Sequence, residues 1–393
     1  MEKIINEGKQ YVMNTYGRLP LSIVRGKGSR LWDANGREYL DFVGGLAVTS
    51  MGHCHPKVTE AIAEQANTLV HCSNLYWIEP QVKLAKLLVE NSCMDKVFFA
   101  NSGAEANEGA IKLARKFGKG KYEIITMTKS FHGRTLATLT ATAQDKFHQG
   151  FSPLPQGFKY SPFNDLAALK QSISDNTCAI MLEPIQGEGG VNVAEAEFLK
   201  GVKEICDQQG ILLIFDEVQV GIGRTGTMFA YEQYGVEPDI MTIAKALGGG
   251  VPIGALLAKE EVANAFQPGD HASTFGGNPL VCSAGLAMIN AIIEEKALEN
   301  ATKIGELALN LLAEMKAKYK VIKEVRGKGL IIGIELTKPG QEIVQKCQED
   351  GLLVNCAAGY VIRLLPPLNV SQAELEQALY IVEQAISEME EQV

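Results

Sequence analysis

Three short stretches of this chain combine residue types that do chemistry only when something holds them together. The apolar run Ile211 to Phe215 ends directly in the acidic pair Asp216-Glu217. A carboxylate at the end of a buried strand costs on the order of several kcal/mol unless a cation or hydrogen-bond donors meet it, so a partner is expected. A second run, Asp239 to Ile243, leads into Ala244-Lys245-Ala246-Leu247-Gly248-Gly249-Gly250, where small neighbours leave the Lys245 amine room. Such a lysine is either half of an ion pair or a nucleophile for imine chemistry. In the third stretch, Lys96 to Ala100 runs into Asn101-Ser102-Gly103-Ala104-Glu105 and then a helical pattern. Ser102 and Glu105 fit a capping box, and Gly103 opens the first backbone N–H groups, which suits a phosphate. Taken alone, this stretch reads first as an ordinary helix cap, because such caps are common.

Two other patterns compete for attention. Gly221-Ile222-Gly223-Arg224-Thr225-Gly226 matches G-x-G-x-x-G, with Asp239 following, which keeps a nicotinamide-dependent dehydrogenase open as an alternative. Against it, the segment before Gly235 and Pro238 is short for a crossover helix. His53 and His55 flank Cys54, but H-x-H supplies too few ligands for a metal, and a turn before Pro56 is the expected reading. No metal is expected.

The elements that must position these residues follow from the rhythm of the chain. Lys96 to Ala100, Tyr122 to Met127, Ala179 to Leu182, Gly210 to Phe215 and Ile240 to Ile243 read as buried strands between helical stretches. That alternation predicts an α/β fold with a mostly parallel sheet covered on both faces, whose chemistry gathers at the carboxyl ends of the strands. Ala284 to Tyr319 predicts one long helix or two successive ones. Gly329 to Glu335, Gly351 to Val354 and Tyr360 to Leu364 predict a smaller sheet, and Ser371 with Glu374 caps a closing helix. A second, α+β lobe is expected.

Composition narrows the function classes. The 393 residues include 46% hydrophobic and 21% charged, the balance of a folded globular protein. The net charge of −9 has the wrong sign for a protein that neutralises phosphate backbone, so nucleic acid is not an expected partner. No apolar run approaches the ~18 residues that cross a bilayer. The first residues carry mixed charge without an apolar core, and eight cysteines lie scattered without a C-x-x-C pair. A cytoplasmic protein is the expectation.

A helix N-terminus for phosphate, a buried acid for a ring nitrogen and a lysine for an imine are together the parts that hold pyridoxal phosphate. The chain resembles the class III aminotransferases of the fold-type I pyridoxal phosphate superfamily, most closely the acetylornithine branch, over nearly its whole length. The segments that carry the resemblance are Val43 to Val48, Gly52 to Pro56, Ser73 to Tyr76, Phe99 to Ala106, Ser130 to Thr135, Glu183 to Gly190, Phe215 to Gln219 and Ser273 to Pro279.

The resemblance implies a large domain over 56–285 with a seven-stranded sheet, a small domain over 286–393, and an N-terminal segment over 1–55 that joins the small domain. It implies that Lys245 makes the imine with the cofactor and then moves the substrate proton, while Asp216 keeps the ring nitrogen protonated. Ser102, Gly103 and Ala104 are implied to hold the phosphate, with Thr274 reaching the cofactor of a neighbouring subunit, so a homodimer is implied. Phe131 and Val218 are implied to flank the ring, and Gln219 to reach its phenolic oxygen. Arg363 is implied to bind the α-carboxylate of glutamate or 2-oxoglutarate, Arg134 the distal carboxylate or that of the amine donor, and Glu188 to pair with Arg363 when an ω-amine donor is bound. Ser273 and Tyr16 are placed near the substrate. Val220 stands where relatives have threonine. The implied reaction moves the δ-amino group of N2-acetyl-L-ornithine to 2-oxoglutarate, a step of arginine biosynthesis. Ornithine, succinylornithine, succinyl-diaminopimelate and 4-aminobutyrate remain alternative donors.

Overall fold

The computed structural model describes residues 1–391. Its largest sheet has seven strands in the order Lys96–Ala100, Gly254–Ala258, Ile240–Ile243, Leu212–Asp216, Thr177–Leu182, Glu123–Met127 and Phe158–Ser161. Gly254–Ala258 runs antiparallel to both its neighbours, and the other pairings are parallel. Every residue of the four strands Thr177–Leu182, Leu212–Asp216, Ile240–Ile243 and Gly254–Ala258 is buried. This is why they read as unbroken apolar runs rather than alternating ones. Gly254–Ala258 escapes a sequence reading because Gly-Ala-Leu-Leu-Ala lacks the β-branched residues that mark a strand.

The helix Gly103–Phe117 covers one side of this sheet, burying Ala106, Asn107, Ala110, Ile111 and Ala114. Its start is fixed by the Ser102 hydroxyl, which accepts from the Glu105 N–H at 3.2 Å. The stretch expected as one or two helices forms two, Pro279–Glu294 and Ala297–Lys318. The first begins as expected for a proline at the first turn, with Asn278 accepting from the Val281 N–H.

A four-stranded antiparallel sheet joins Ile322–Lys328, Ile331–Leu336, Val361–Leu364 and Asn355–Ala357. The closing helix Gln372–Glu391 carries the expected box: Ser371 Oγ accepts from the Glu374 N–H, and Glu374 accepts from the Ser371 N–H. One strand lies elsewhere than expected. Leu352–Leu353 pairs in parallel with Glu38–Asp41, extending a sheet made by the N-terminal strands Ile23–Lys27 and Arg30–Asp33. Leu40 and Leu352 are both fully buried there, so the pairing removes apolar surface from both ends of the chain.

The glycine fingerprint has a packing role. No α-helix follows it; the loop leads to a single 3-10 turn, Ala230–Gln233. A Cβ at Gly223 would stand 2.6 Å from Leu368, and one at Gly226 would stand 2.2 Å from the Thr302 hydroxyl. The glycines therefore let this loop press against the C-terminal part of the chain. Asp239 accepts from the Leu213 N–H at 2.8 Å and lies 3.4 Å from Lys203 Nζ, far from any ribose-binding role. The dinucleotide reading is thereby overturned.

Candidate active site

A cavity of about 440 Å3 opens at the carboxyl ends of the central strands. Each of the three chemical stretches reaches it from a different element. Asp216 closes the strand Leu212–Asp216, Lys245 follows the adjacent strand Ile240–Ile243, and Ser102, Gly103 and Ala104 start the covering helix. Tertiary structure has thus brought together groups separated by more than a hundred residues.

Asp216 is buried and has its expected partners. Its Oδ2 accepts from Asn107 Nδ2 and His132 Nδ1, each at 2.7 Å, and its Oδ1 accepts from the Val218 N–H at 3.0 Å. Asn107 is itself held: its Nδ2 donates to the His132 carbonyl, and its Oδ1 accepts from Thr242 Oγ1. The His132 N–H in turn donates to Thr142 Oγ1. These donors hold the Asp216 carboxyl group in place at the cavity wall. Glu217, the other half of the acidic pair, turns away and accepts from the N–H groups of Ala230 and Tyr231. Burial pushes it up to about 8, although those two donors pull the other way.

Lys245 sits in a 3-10 turn with φ 44°, a left-handed conformation that is costly for a residue with a side chain. Burial lowers its pKa, and nearby Arg363 acts in the same direction, while Glu188, Asp216 and Glu183 oppose. Both features fit a lysine poised as a free amine rather than one resting in a surface ion pair.

The first N–H groups of Gly103–Phe117 have no partner within their helix, by geometry. Glu105 does not occupy them, since its carboxylate turns back to Asn101 N at 2.6 Å and Asn101 Nδ2 at 2.8 Å. A Cβ at Gly103 would stand 2.6 Å from Val218 Cγ1, so only glycine lets Val218 close over the helix start. This open helix end, the amine, the held acid and the flanking Phe131 and Val218 fit a flat phosphorylated aldehyde such as pyridoxal phosphate.

The polar groups behind the cavity form a second cluster. Arg363 has no exposed side-chain surface and lies 2.8 Å from Glu188 Oε1. It also donates to Gln219 Oε1 at 3.0 Å and Asn355 Oδ1 at 3.3 Å. Burial pushes Glu188 up, but the Arg363 guanidinium and then Lys245 outweigh it and hold it below the ordinary carboxylate range. Gln219 is therefore engaged with Arg363 and Glu188 in this structure. Arg134 is exposed at the rim, with its guanidinium over the rings of Phe147 and Phe131 at 4.1 and 5.4 Å.

Four expected residues do not line this cavity from their own chain: Arg363 stands behind it, and Ser273, Thr274 and Tyr16 lie elsewhere. Ser273 and Thr274 line a separate hollow beside Ser73 and Asn74, with Ser273 Oγ accepting from Asn101 Nδ2. Tyr16 is exposed in the N-terminal segment, its ring facing Arg18. The two histidines of H-x-H have separate partners: His53 meets Asp41 at 2.7 Å and His55 meets Glu295 at 3.1 Å. Conversely, Asn107, His132, Glu183 and Asn355 belong to the site without having been assigned a role from the sequence. A lone asparagine on the apolar face of a helix is a local signal that could have marked Asn107.

Known proteins resemble this chain over nearly its whole length. Residues 11–386 match the family described as aminotransferase class-III. An acetylornithine aminotransferase of Caldanaerobacter subterraneus is 55% identical over 392 residues, covering 98% of this chain and 100% of that protein. One from Methanocaldococcus jannaschii is 54% identical, covering 99% of each. Among solved structures, an ornithine aminotransferase from Toxoplasma gondii superposes with a TM-score of 0.96 at 34% identity, covering 100% of this chain and 96% of that one. An N-acetylornithine aminotransferase from Stenotrophomonas maltophilia superposes with a TM-score of 0.84 at 38% identity, covering 98% and 99%. With the family match running through nearly all of it, this chain belongs to the class III aminotransferases.

Proposed function

We propose that the chain transfers the δ-amino group of N2-acetyl-L-ornithine to 2-oxoglutarate, yielding N-acetyl-L-glutamate 5-semialdehyde and L-glutamate, with pyridoxal phosphate held at Lys245. The observation that carries this reading is the convergence on one cavity of the Lys245 amine, the held Asp216 carboxyl group and Glu188, which is paired with Arg363 behind it. Full-length relatives at 55% and 54% identity bearing the acetylornithine name support the choice of donor.

The bound cofactor supplies a carbonyl that takes up an amine and a ring that delocalises the electrons left after a proton is removed. The chain's own residues do the rest. Ser102, Gly103 and Ala104 bind the phosphate at the helix start, where N–H groups and dipole favour an anion. Asp216, fixed by Asn107 and His132, would meet the ring nitrogen of the bound cofactor, and Phe131 and Val218 would flank its ring. Gln219 serves the phenolic oxygen. Lys245 holds and moves the proton at its Nζ.

Arg363 and Glu188 let one site serve two unlike substrates. With Glu188 in place, Arg363 is neutralised and the cavity accepts the uncharged end of an ω-amine donor. When Glu188 swings away, the Arg363 fork binds the α-carboxylate of glutamate or 2-oxoglutarate, and Arg134 takes the remaining carboxylate. Tyr16 is assigned to the donor side and Ser273 to the substrate's approach.

Thr274 serves the cofactor of a second copy, which makes the working unit a homodimer. Two features support this: Thr274 lies outside its own cavity, and Leu75, Tyr76 and Trp77 beside it are 85%, 67% and 94% exposed. An apolar stretch of that exposure is the mark of an interface. Asn74 ties it to the Ser273 loop by donating to the Ser273 and Gly276 carbonyls at 3.0 and 2.9 Å. Eight free cysteines suit a reducing compartment, and the cytoplasm is the assigned location. No helix among the described residues is long and apolar enough to cross a membrane. A donor panel with 2-oxoglutarate tests the assignment: N2-acetylornithine should give the highest kcat/KM. A higher value for ornithine, succinylornithine, succinyl-diaminopimelate or 4-aminobutyrate would replace the donor.

A further inference from the structure

Glu183 has no part in the reaction described above, yet it stands beside the group that anchors it. The parallel register pairs Leu182, the last residue of its strand, with Phe215, so the chain leaves the sheet at Glu183 next to the strand end that carries Asp216. Neighbouring strands lie about 5 Å apart, and both carboxyl groups line the same cavity. Two ionised carboxylates so placed in a buried site would repel strongly, and such pairs share a proton.

The hydrogen bonds decide which acid carries it. Asp216 accepts from three donors, from Asn107, His132 and Val218. Glu183 is only 7% exposed, and its Oε2 is buried without any partner. Burial and then Asp216 raise its pKa well above the ordinary value, and Glu188 adds to this. Lys245 and the Phe131 N–H oppose without prevailing. Of the other charged groups facing it, Glu188 is already committed to Arg363 at 2.8 Å.

We propose that Glu183 is a positioning residue for the Lys245 amine, standing in the cavity wall as a neutral carboxylic acid so that no free anion holds a proton on that amine. Among the described residues no carboxylate oxygen lies within 4 Å of Lys245 Nζ. An ionised Glu183 would act as a further counter-ion, stabilise the ammonium form and withhold the free base that attacks a carbonyl. The proton on Glu183 therefore keeps the nucleophile available. The purpose of this arrangement rests on the cofactor reading, whereas the protonation of Glu183 can be measured without cofactor.

Infrared difference spectra of the cofactor-free protein, full-length chain against Glu183→Gln at pH 7, read the protonation directly. The inference expects loss of a protonated-carboxyl C=O band in the variant; loss of ionised-carboxylate bands instead would overturn it. Glu183→Leu gives the same reading should glutamine disturb folding. The second measurement is the rate at which added pyridoxal phosphate forms its visible-absorbing imine. Glutamine copies the neutral acid, so the Glu183→Gln rate should stay within about threefold of the parent at pH 7, whereas a change of about tenfold or more in either direction contradicts the inference. A parent protein that forms no imine defeats the cofactor reading, while the infrared bands still decide the state of Glu183.

Discussion

Arg363 and Glu188 meet at 2.8 Å at the back of the cavity, and the arginine side chain has no exposed surface. Arg363 cannot lose Glu188 without a substitute, because an unpaired buried guanidinium is costly, whereas Glu188 is partly exposed and can turn to solvent. A substrate α-carboxylate is such a substitute, and on the proposed function the pair would act as a gate whose opening is coupled to what binds.

Removing the gate should separate the two half-reactions. In Glu188→Ala, Arg363 is left permanently free: the half-reaction with glutamate persists, while that with acetylornithine slows by about tenfold or more. Single-turnover absorbance changes with each amino donor check this; equal losses in both half-reactions contradict the gate.

The fork geometry of Arg363 should matter more than its charge. Arg363→Lys keeps the cation but loses the paired donors, and KM for 2-oxoglutarate should rise by roughly ten- to a hundredfold. Steady-state kinetics with the oxo acid varied gives the answer, and an unchanged KM removes Arg363 from the binding site.

Glycine at 103 should prove indispensable. An alanine Cβ there would stand 2.6 Å from Val218, so either the helix start or Val218 must shift. Gly103→Ala should lose about 1–3 kcal/mol of stability and weaken cofactor affinity in the same variant. Denaturant titration and cofactor titration together test it; normal values in both contradict the close approach.

The buried amine of Lys245 should titrate early. Its folded pKa lies below 10.5, so imine formation should rise with pH through an inflection below that value. The sign for stability follows from proton counts. Between the lowered folded pKa and 10.5, the unfolded chain binds a proton that the folded chain does not, so this residue's contribution to stability rises with pH across that window. Below the window the buried charge costs stability, and Lys245→Met should relieve that cost in the cofactor-free protein. An imine-formation inflection at or above 10.5 contradicts the burial.

The exposed stretch Leu75–Trp77 should hold two copies together. Trp77→Asp should halve the mass seen by sedimentation and weaken cofactor binding, because Thr274 then no longer reaches a second site. A variant that keeps both the dimer and the cofactor contradicts this interface.

Much of the cavity was legible in the sequence because its parts sit where strands end and helices begin. Lys245, Asp216 and the Ser102–Ala104 turn each carry such a boundary signal, and Phe131, Val218 and Gln219 followed from family resemblance. The supporting groups were not legible in this way. Asn107 and His132 lie 109 and 84 positions from the Asp216 they hold, and no local spacing records such a contact. Glu183 gains its meaning only from strand register, which a single sequence does not display. The strand Gly254–Ala258 was hidden by its small residues, and Leu352–Leu353 was assigned to the wrong sheet because its partner is 312 positions earlier, at Leu40 and Asp41.

One side-chain nitrogen decides the account. Reduction of the cofactor-loaded protein with borohydride, followed by digestion and mass spectrometry, should find a phosphopyridoxyl group on the peptide carrying Lys245, with no such product in Lys245→Ala. Finding the group on a different lysine, or on none, would contradict it.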